Sequence, residues 1–360
     1  MRNRFKGFFA GLRSPQAPKI SSNTFLVWEP CTHSHAEVLP GYVKYLLDLG
    51  YDVSVLATPE RFDEGLFARF SDPRITLNRL SQRAIRRHFA QNALGGARGI
   101  LITTARKISG AADYAAELAL FADRDPGQKV LLVEHDVRKP MASGALHPGI
   151  ITLRKVGYQG CATAVVNPHF FGTVRVAPRR ATVNFITIGA LQGKRRNTAL
   201  LIEAAAALHA RGLADFRITV IGRGGLRSVP AELQSYFDIL GSVDFARMYD
   251  AVESADFFLP LLDPGNPRHE RYITSSTSGS FQLIYGFRKP CLIERKFAAI
   301  NGFDSSNSLI YDGNEDLPSA MTEAMNLPQS AYVRLQEGIG RYANSLYEDS
   351  LEQLSRLVWD

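Results

Sequence analysis

The residues best suited to chemistry lie late in the chain, between Ser275 and Ile293, where a loop of small hydroxyl residues leads into an apolar helix and a short strand. Such a loop binds anions, because the first N–H groups of a helix lack internal partners and the helix dipole adds partial positive charge. Gly279 allows close approach, and three hydroxyl side chains add donors: Thr277, Ser278 and Ser280. Simple helix capping by Ser and Thr is the alternative interpretation.

A basic cluster follows the strand that opens the second half of the chain, within the segment Gly189–Asn197. Its three adjacent cations are Lys194, Arg195 and Arg196. At the C-terminal end of a strand these side chains suit a diphosphate, since arginine offers forked hydrogen bonds and lysine a point charge. The alternative is a basic surface turn before a helix.

Two further motifs resemble known fingerprints without meeting their requirements. The turn after the predicted strand Arg217–Ile221 does not match the dinucleotide-binding pattern G-x-G-x-x-G, because Arg227 stands where the third glycine belongs. We therefore expect a plain turn in which Gly222 lets a nucleotide approach the backbone. The triplet Asp123-Arg-Asp125 has the D-x-D pattern of some metal-dependent sugar transferases. It precedes a predicted strand, at the edge of a sheet where ligands do not bind, and therefore indicates a solvated turn.

Three histidines in the first half follow predicted strands: His33, His35 and His135. The C-terminal ends of parallel strands are where ligands bind, so we expect His33 and His35 to face a cleft. His135 is a candidate general base or hydrogen-bond donor, and a packed strand-end histidine is the alternative. Although His33, His35 and Glu37 are metal-ligand types, no further ligand is apparent, and we expect no metal.

These residues are positioned by strand–helix–strand patterns that occur twice. The predicted elements are Thr24–Trp28, His35–Leu49 and Tyr51–Leu56 in the first half, and Val183–Ile188, Asn197–Arg211 and Arg217–Ile221 in the second. Alternation of this kind predicts an α/β protein with two parallel sheets, that is, two Rossmann-like domains facing each other across a cleft. Clefts between domains are preferred small-molecule sites.

Composition changes along the chain define the expected domain limits. We predict a basic disordered tail (1–20), an N-terminal Rossmann-like domain (21–175), a linker (176–183), a C-terminal Rossmann-like domain (184–328) and one or two closing helices (329–360). Residues 1–180 carry 25 Lys and Arg against 14 Asp and Glu, whereas residues 181–360 carry 17 against 21. The first half therefore has a charge of +11 and the second of −4, which indicates either an anionic membrane surface as partner or a solvated face.

Other features exclude several classes of protein. The basic region has no interleaved aromatic residues, so we expect no nucleic-acid partner. No apolar run approaches the roughly 20 residues needed to span a bilayer, and the first residues do not form a secretory signal. Three widely separated cysteines fit a reducing cytoplasm, with the inner face of the membrane as the candidate surface.

The order and spacing of five segments resemble the second domain of retaining glycosyltransferase family four (glycosyl transferases group 1), which has the two-Rossmann-domain GT-B architecture. The segments are Ile188–Asn197, Ile218–Gly222, Ala255–Pro260, Ser275–Ile293 and Asn307–Ala324. The resemblance implies that the donor is bound by Gly189, Lys194, Arg195, Arg196, Gly222, Thr277, Ser278, Gly279, Ser280 and Gln282. Ala190 stands where the family usually has Arg. Thr274–Leu283 lacks the family's two glutamates, and Gln282 is the nearest substitute for the second.

The resemblance implies a hexosyltransferase that retains configuration and moves a sugar from a nucleotide-diphosphate sugar to a glycan or lipid-linked acceptor in envelope or surface polysaccharide synthesis. It also implies that the N-terminal domain binds the acceptor, with His33 and His35 on the acceptor side, and that the C-terminal domain binds the donor. The GT-B resemblance also implies that no metal cofactor is needed, so the protein's own cations must neutralise the leaving diphosphate. The missing glutamates favour one alternative, a non-catalytic GT-B-like binding protein. An NAD-dependent Rossmann enzyme is a weaker alternative, because no G-x-G-x-x-G is present.

Overall fold

The computed structural model describes residues 20–31, 35–105, 114–138, 142, 149–156, 163–191, 196–224, 226 and 229–359. These residues form two parallel sheets. The N-terminal sheet contains β1 (Thr24–Trp28), β2 (Asp52–Ala57), β3 (Ile75–Arg79), β4 (Gly99–Ile102), β5 (Lys129–Glu134), β6 (Ile150–Thr152) and β7 (Ala164–Val165). The C-terminal sheet contains β8 (Val183–Ile188), β9 (Phe216–Ile221), β10 (Phe237–Gly241), β11 (Phe257–Phe258), β12 (Cys291–Glu294) and β13 (Ser308–Tyr311).

Both sheets have the doubly wound strand order. The first runs β3-β2-β1-β4-β5-β6-β7 and the second β10-β9-β8-β11-β12-β13, with every pair parallel. The strand order reverses beside β1 in one sheet and beside β8 in the other. The carboxyl ends of the strands at such a switch point form the usual ligand crevice of this fold class.

Helices cover the faces of both sheets. They are α1 (Leu39–Asp48), α2 (Pro59–Asp63), α3 (Gln82–Asn92), α4 (Ala115–Ala119), α5 (Thr198–Ala210), α6 (Phe245–Ser254), α7 (Arg271–Thr274), α8 (Gly279–Phe287), α9 (Arg295–Ala298), α10 (Leu317–Asn326) and α11 (Gln329–Trp359). Short 3-10 turns cover Ala36–Val38, Ala231–Tyr236, Ala299–Asn301 and Asn314–Asp316. No helix in these ranges is long and apolar enough to cross a bilayer.

Each sheet separates two apolar layers, which explains why its strands are almost continuously hydrophobic. In the N-terminal domain, Val27 and Val55 face one layer, and Leu26 and Ile102 face the other. The C-terminal sheet is arranged in the same way, so the polar residues that follow each strand lie at the rim of a rigid core.

The last helix, α11, connects the two domains. Its first turns pack into the C-terminal domain through Tyr332 and Leu335, and its last turns pack into the N-terminal core through Leu354 and Val358. With 31 residues the helix is roughly 46 Å long, enough to pass from one domain to the other. The closing region predicted as one or two helices is therefore one helix.

The structure corrects several predicted elements. The helix expected from His35 begins instead with a 3-10 turn, and α1 starts at Leu39, because His35 adopts a left-handed conformation (φ 68°). The helix predicted over Ala111–Ala122 is reduced to α4 within the described residues. Strands β4 and β6 were not predicted, because each is too short and too uniformly apolar to show a period.

Candidate functional site

The predicted anion loop and Arg196 come together at the C-terminal edge of the second sheet. Arg196 is buried, and its Nη2 donates to Ser278 Oγ (3.1 Å), Ser280 Oγ (3.0 Å) and the Ile188 carbonyl (3.3 Å). The guanidinium thus joins the end of β8 to the N-terminus of α8. It places a permanent positive charge behind a helix terminus that itself favours anions.

The first residues of α8 have the geometry of a capped helix that remains accessible. Ser278 is the N-cap in extended conformation, and its Oγ accepts from the Ser280 N–H at 3.4 Å. Gly279 is exposed and Thr277 is half-buried. Gln282 is buried, and its Nε2 has no hydrogen-bond partner among the described residues. The loop therefore provides both the capping expected from its composition and an accessible helix terminus.

The two predicted glycine turns lie against each other beside Arg196. A Cβ at Gly222 would lie 1.7 Å from the Gly189 carbonyl oxygen, and one at Gly189 would lie 3.0 Å from Arg196 Nη2. Both glycines have positive φ angles, 149° and 143°. The Gly189 carbonyl leaves no space for a side chain at Gly222, and the positive φ angles of both turns favour glycine. Lys194 and Arg195 lie outside the described residues.

The charge of Arg196 also acts on the neighbouring helix. Tyr272 lies on α7 and is buried, which raises the pKa of its phenol. The nearby Arg196 and Arg271 cations outweigh this effect, so that the pKa of Tyr272 lies below its ordinary value. The charges of two arginines therefore act on this side of the cleft, which favours an anionic ligand.

His135 lies at the end of β5, on the N-terminal side of the cleft. Its Nε2 is 2.8 Å from the Thr103 carbonyl oxygen, and its ring centroid is 4.3 Å from that of His35. Burial, followed by the charge of His35, lowers the pKa of His135 to about 4, so the imidazole is neutral near pH 7. A carbonyl only accepts, so Nε2 carries the proton and Nδ1 is left as an acceptor. His33 lies outside the described residues.

Glu29 is a buried carboxyl at the end of β1 that the sequence interpretation missed. It accepts hydrogen bonds from the Cys31 N–H (2.5 Å), Thr103 Oγ1 (2.8 Å) and Thr104 Oγ1 (2.9 Å). Burial raises its pKa to about 8 despite these donors. An acid directly after a fully apolar strand was the available signal. This carboxyl connects the ends of β1 and β4 under the histidines.

Hydrogen bonds join the two sides of the cleft at the anion loop. The Val137 N–H donates to the Ser275 carbonyl (3.1 Å), Ser276 Oγ to the His135 carbonyl (2.8 Å), and Ser275 Oγ to Asp136 (3.1 Å). His135 and the hydroxyl loop, which lie about 140 residues apart in the sequence, are therefore neighbours in one site.

Arg154, which the sequence interpretation also missed, strengthens this junction from the N-terminal domain. Its guanidinium donates to the carbonyls of Ser276 (2.8 Å), Ile273 (2.9 Å) and Tyr272 (3.2 Å). These carbonyls lie at the C-terminal end of α7, where a cation is favoured by the helix dipole. A second junction between the domains is formed by Arg69 of the N-terminal domain, which pairs with Asp250 and Glu253 of α6 in the C-terminal domain.

Comparisons with known proteins address the fold. No protein-family model matches the chain, and no curated protein sequence matches it significantly. Solved structures match it over almost its whole length. AviGT4, a glycosyltransferase involved in avilamycin A biosynthesis, is 17% identical with a TM-score of 0.59, over 93% of this chain and 98% of that one. Alr3699/HepE from Anabaena, solved in complex with UDP-glucose, is 12% identical with a TM-score of 0.59, over 93% and 99%.

A third structure is similar over the same extent. WaaG, a glycosyltransferase involved in lipopolysaccharide biosynthesis, is 12% identical with a TM-score of 0.51, over 93% of this chain and 99% of that one. The predicted fold is confirmed: the chain is an α/β protein of the GT-B architecture, with two Rossmann-like domains facing each other across a cleft.

Proposed function

We propose that the protein is a glycosyltransferase that transfers a sugar from a nucleotide-diphosphate sugar to a glycan or lipid-linked acceptor. The observation that carries the proposal is the Arg196 guanidinium held by Ser278 and Ser280 at the N-terminus of α8, directly across the cleft from His135. The GT-B fold supports it, since the similar structures include glycosyltransferases and a complex with UDP-glucose.

In this proposal the donor diphosphate lies on the C-terminal domain. Arg196, the N–H groups at the start of α8 and the basic residues Lys194 and Arg195 neutralise the negative charge that develops on the leaving diphosphate. Fixed donors of this kind stabilise a transition state without reorganisation. The protein itself supplies the charge, so we expect donor binding without an added metal. The turns at Gly189 and Gly222 would receive the nucleotide.

The acceptor lies on the N-terminal side of the cleft, near His35 and His135. Nδ1 of neutral His135 accepts a hydrogen bond from the acceptor hydroxyl and orients it. The bond between the sugar and the diphosphate breaks as the new glycosidic bond forms. The hydroxyl proton passes to the leaving diphosphate, because an imidazole with a pKa of about 4 is too weak a base to retain it near pH 7. Retention of configuration and hexosyl transfer follow only from the family-four resemblance. We infer a role in envelope or surface polysaccharide synthesis on the same basis.

From the charge distribution we infer that the enzyme is cytoplasmic and acts at the inner face of the membrane. Helix α3 buries Ile85 and Phe89 and exposes three arginines, Arg83, Arg86 and Arg87. A cationic helix face of this kind binds anionic lipids by electrostatic attraction. Co-sedimentation with vesicles containing anionic lipids, compared with neutral vesicles, tests the inference; equal binding to both would contradict it.

The experiment that tests the transferase is donor turnover. The purified protein is incubated with UDP-, GDP- and ADP-sugars, with and without glycan or lipid-linked acceptors, and release of the nucleoside diphosphate is measured. We expect release with one nucleotide class and acceleration by an acceptor. Binding without turnover would support the second candidate, a non-catalytic GT-B-like protein, which the absence of any acid in Thr274–Leu283 favours. Binding of NAD alone would support a dehydrogenase.

A further inference from the structure

Glu37 extends from the N-terminal domain to the N-terminus of α8 in the other domain. It lies on the 3-10 turn Ala36–Val38, just before α1. Its Oε1 is 3.6 Å from the position that a Cβ on Gly279 would occupy. Gly279 is the first residue of α8, so a carboxylate of one domain directly faces the helix terminus at which the donor diphosphate is proposed to bind.

The surroundings of Glu37 show that this carboxyl occupies a built site. Burial raises the pKa of Glu37, and its own backbone N–H together with the charges of His135 and Arg61 acts in the opposite direction. Glu37 also contributes to raising the pKa of Glu29. Glu37 is half-buried, and the contact of its Oε1 with Gly279 places the carboxyl between the histidine side and the anion loop.

An acid in this position constrains what a ligand can place beside it. A diphosphate in direct contact with Glu37 would bring like charges together, which is unfavourable in a partly desolvated site. Hydroxyl groups are the opposite case, because a carboxylate accepts hydrogen bonds from them and such charge-assisted bonds are roughly twice as strong as neutral ones. Thr274–Leu283 contains no acid, so this segment cannot provide such an acceptor itself.

We propose that Glu37 binds the donor sugar, with its carboxylate accepting hydrogen bonds from hydroxyl groups of the sugar while Arg196 and the start of α8 hold the diphosphate. The proposal rests on the proposed function and assigns a specificity-determining residue to its site. Gly279 is exposed, so the start of α8 remains accessible beside this carboxyl. A site built around a hydroxyl discriminates strongly against an analogue without it, because the buried acceptor then loses its partner.

The test compares the binding of a nucleoside diphosphate with that of its sugar conjugate. Titration calorimetry is performed on the full chain with whichever nucleoside diphosphate binds the wild type, and then with the matching nucleotide-glucose. Glu37→Gln keeps the size of the side chain and Glu37→Ala removes it. Glu60→Gln, an exposed acid on α2 in the same domain, is the matched control.

We expect both Glu37 variants to bind the nucleotide sugar about 10- to 100-fold more weakly, as for the loss of hydrogen bonds to a charged group. Their affinity for the nucleoside diphosphate should stay at the wild-type value or increase, because a nearby negative charge has been removed. Glu60→Gln should bind both ligands as the wild type does. A loss of affinity for the nucleotide sugar alone distinguishes sugar binding from a structural role. Loss of a structural role would weaken the binding of both ligands.

Three results would overturn the assignment of Glu37 alone: an unchanged affinity for the nucleotide sugar, an equal loss for both ligands, or an equal gain for both. An equal gain would mean that Glu37 only competes for the anion position. If Glu37→Ala does not fold, Glu37→Gln decides the test. Failure of the wild type to bind any nucleoside diphosphate would instead overturn the proposed function itself.

Discussion

Replacement of Arg196 by Ala is the most informative perturbation of the proposed donor site. Arg196 is 8% exposed, and its Nη2 donates to two serine hydroxyls at the start of α8 and to the carbonyl at the end of β8. Removal of the side chain takes away the positive charge behind the helix terminus and leaves Ser278 and Ser280 without this donor. Both effects weaken a site for a dianionic ligand.

The expected size of the effect follows from the charges involved. Hydrogen bonds to charged groups contribute about 1.5–3 kcal/mol, so the affinity for the nucleoside diphosphate should fall roughly 10- to 150-fold. Removal of one preorganised donor from a developing oxyanion lowers the rate by about 10²–10³-fold, so donor turnover should fall further than affinity. Arg196→Lys keeps the positive charge but not the paired N–H donors of the guanidinium, so we expect an intermediate loss of affinity and turnover.

The assay is titration calorimetry of wild type and variants with the nucleoside diphosphate, followed by turnover of the matching nucleotide sugar. Arg211→Ala is the matched control, because Arg211 is an exposed arginine at the other end of α5, roughly 20 Å away along the helix. Arg196→Ala that folds and binds the diphosphate with wild-type affinity would refute the assignment of this edge as the donor site.

Three further predictions concern the framework of the site. Arg154→Ala removes the donor to three carbonyls across the cleft, so thermal unfolding should show a loss of about 1.5–3 kcal/mol together with weaker nucleotide binding; unchanged binding would mean that this junction does not shape the site. Gly222→Ala should be severely destabilising, because its Cβ would overlap the Gly189 carbonyl, whereas Gly212→Ala meets no atom within 4 Å and should lose only about 1–2 kcal/mol from its positive φ. Similar losses would contradict the close contact. Glu29 is protonated in the folded state up to about pH 8 but ionises near pH 4.5 when unfolded, so stability should fall by about 1.4 kcal/mol per pH unit between pH 6.5 and 7.5. Glu29→Gln should abolish this decline in thermal melts, and an identical slope in both proteins would contradict the raised pKa.

Much of the architecture follows from sequence pattern alone. Apolar runs such as Thr24–Trp28 and Val183–Ile188, each followed by a turn, a helix and another strand, predict a doubly wound fold without tertiary information. Arg196 was placed at the carboxyl edge of the second sheet because it follows a predicted strand. Its place in one donor site with the hydroxyl loop came from the family-four resemblance.

The contacts between domains could not be predicted in this way. Glu37 and Gly279 lie more than two hundred residues apart, and no periodicity relates them. Arg154 follows β6, a strand of three residues that has no visible pattern, so its position at the cleft was not apparent. Glu29 was missed, because the sequence does not reveal that Thr103 and Thr104 converge on its carboxyl.

The most direct test of the central claim is a thermal-shift titration of the purified protein with UDP, GDP, ADP and NAD in the absence of added metal. A ligand at 100 times its dissociation constant stabilises the folded state by about 2.7 kcal/mol, which gives a clear rise in melting temperature. We predict a rise with one nucleoside diphosphate that is absent with NAD and lost in Arg196→Ala. No rise with any nucleoside diphosphate, or a rise with NAD alone, would contradict a nucleotide-sugar site at this edge.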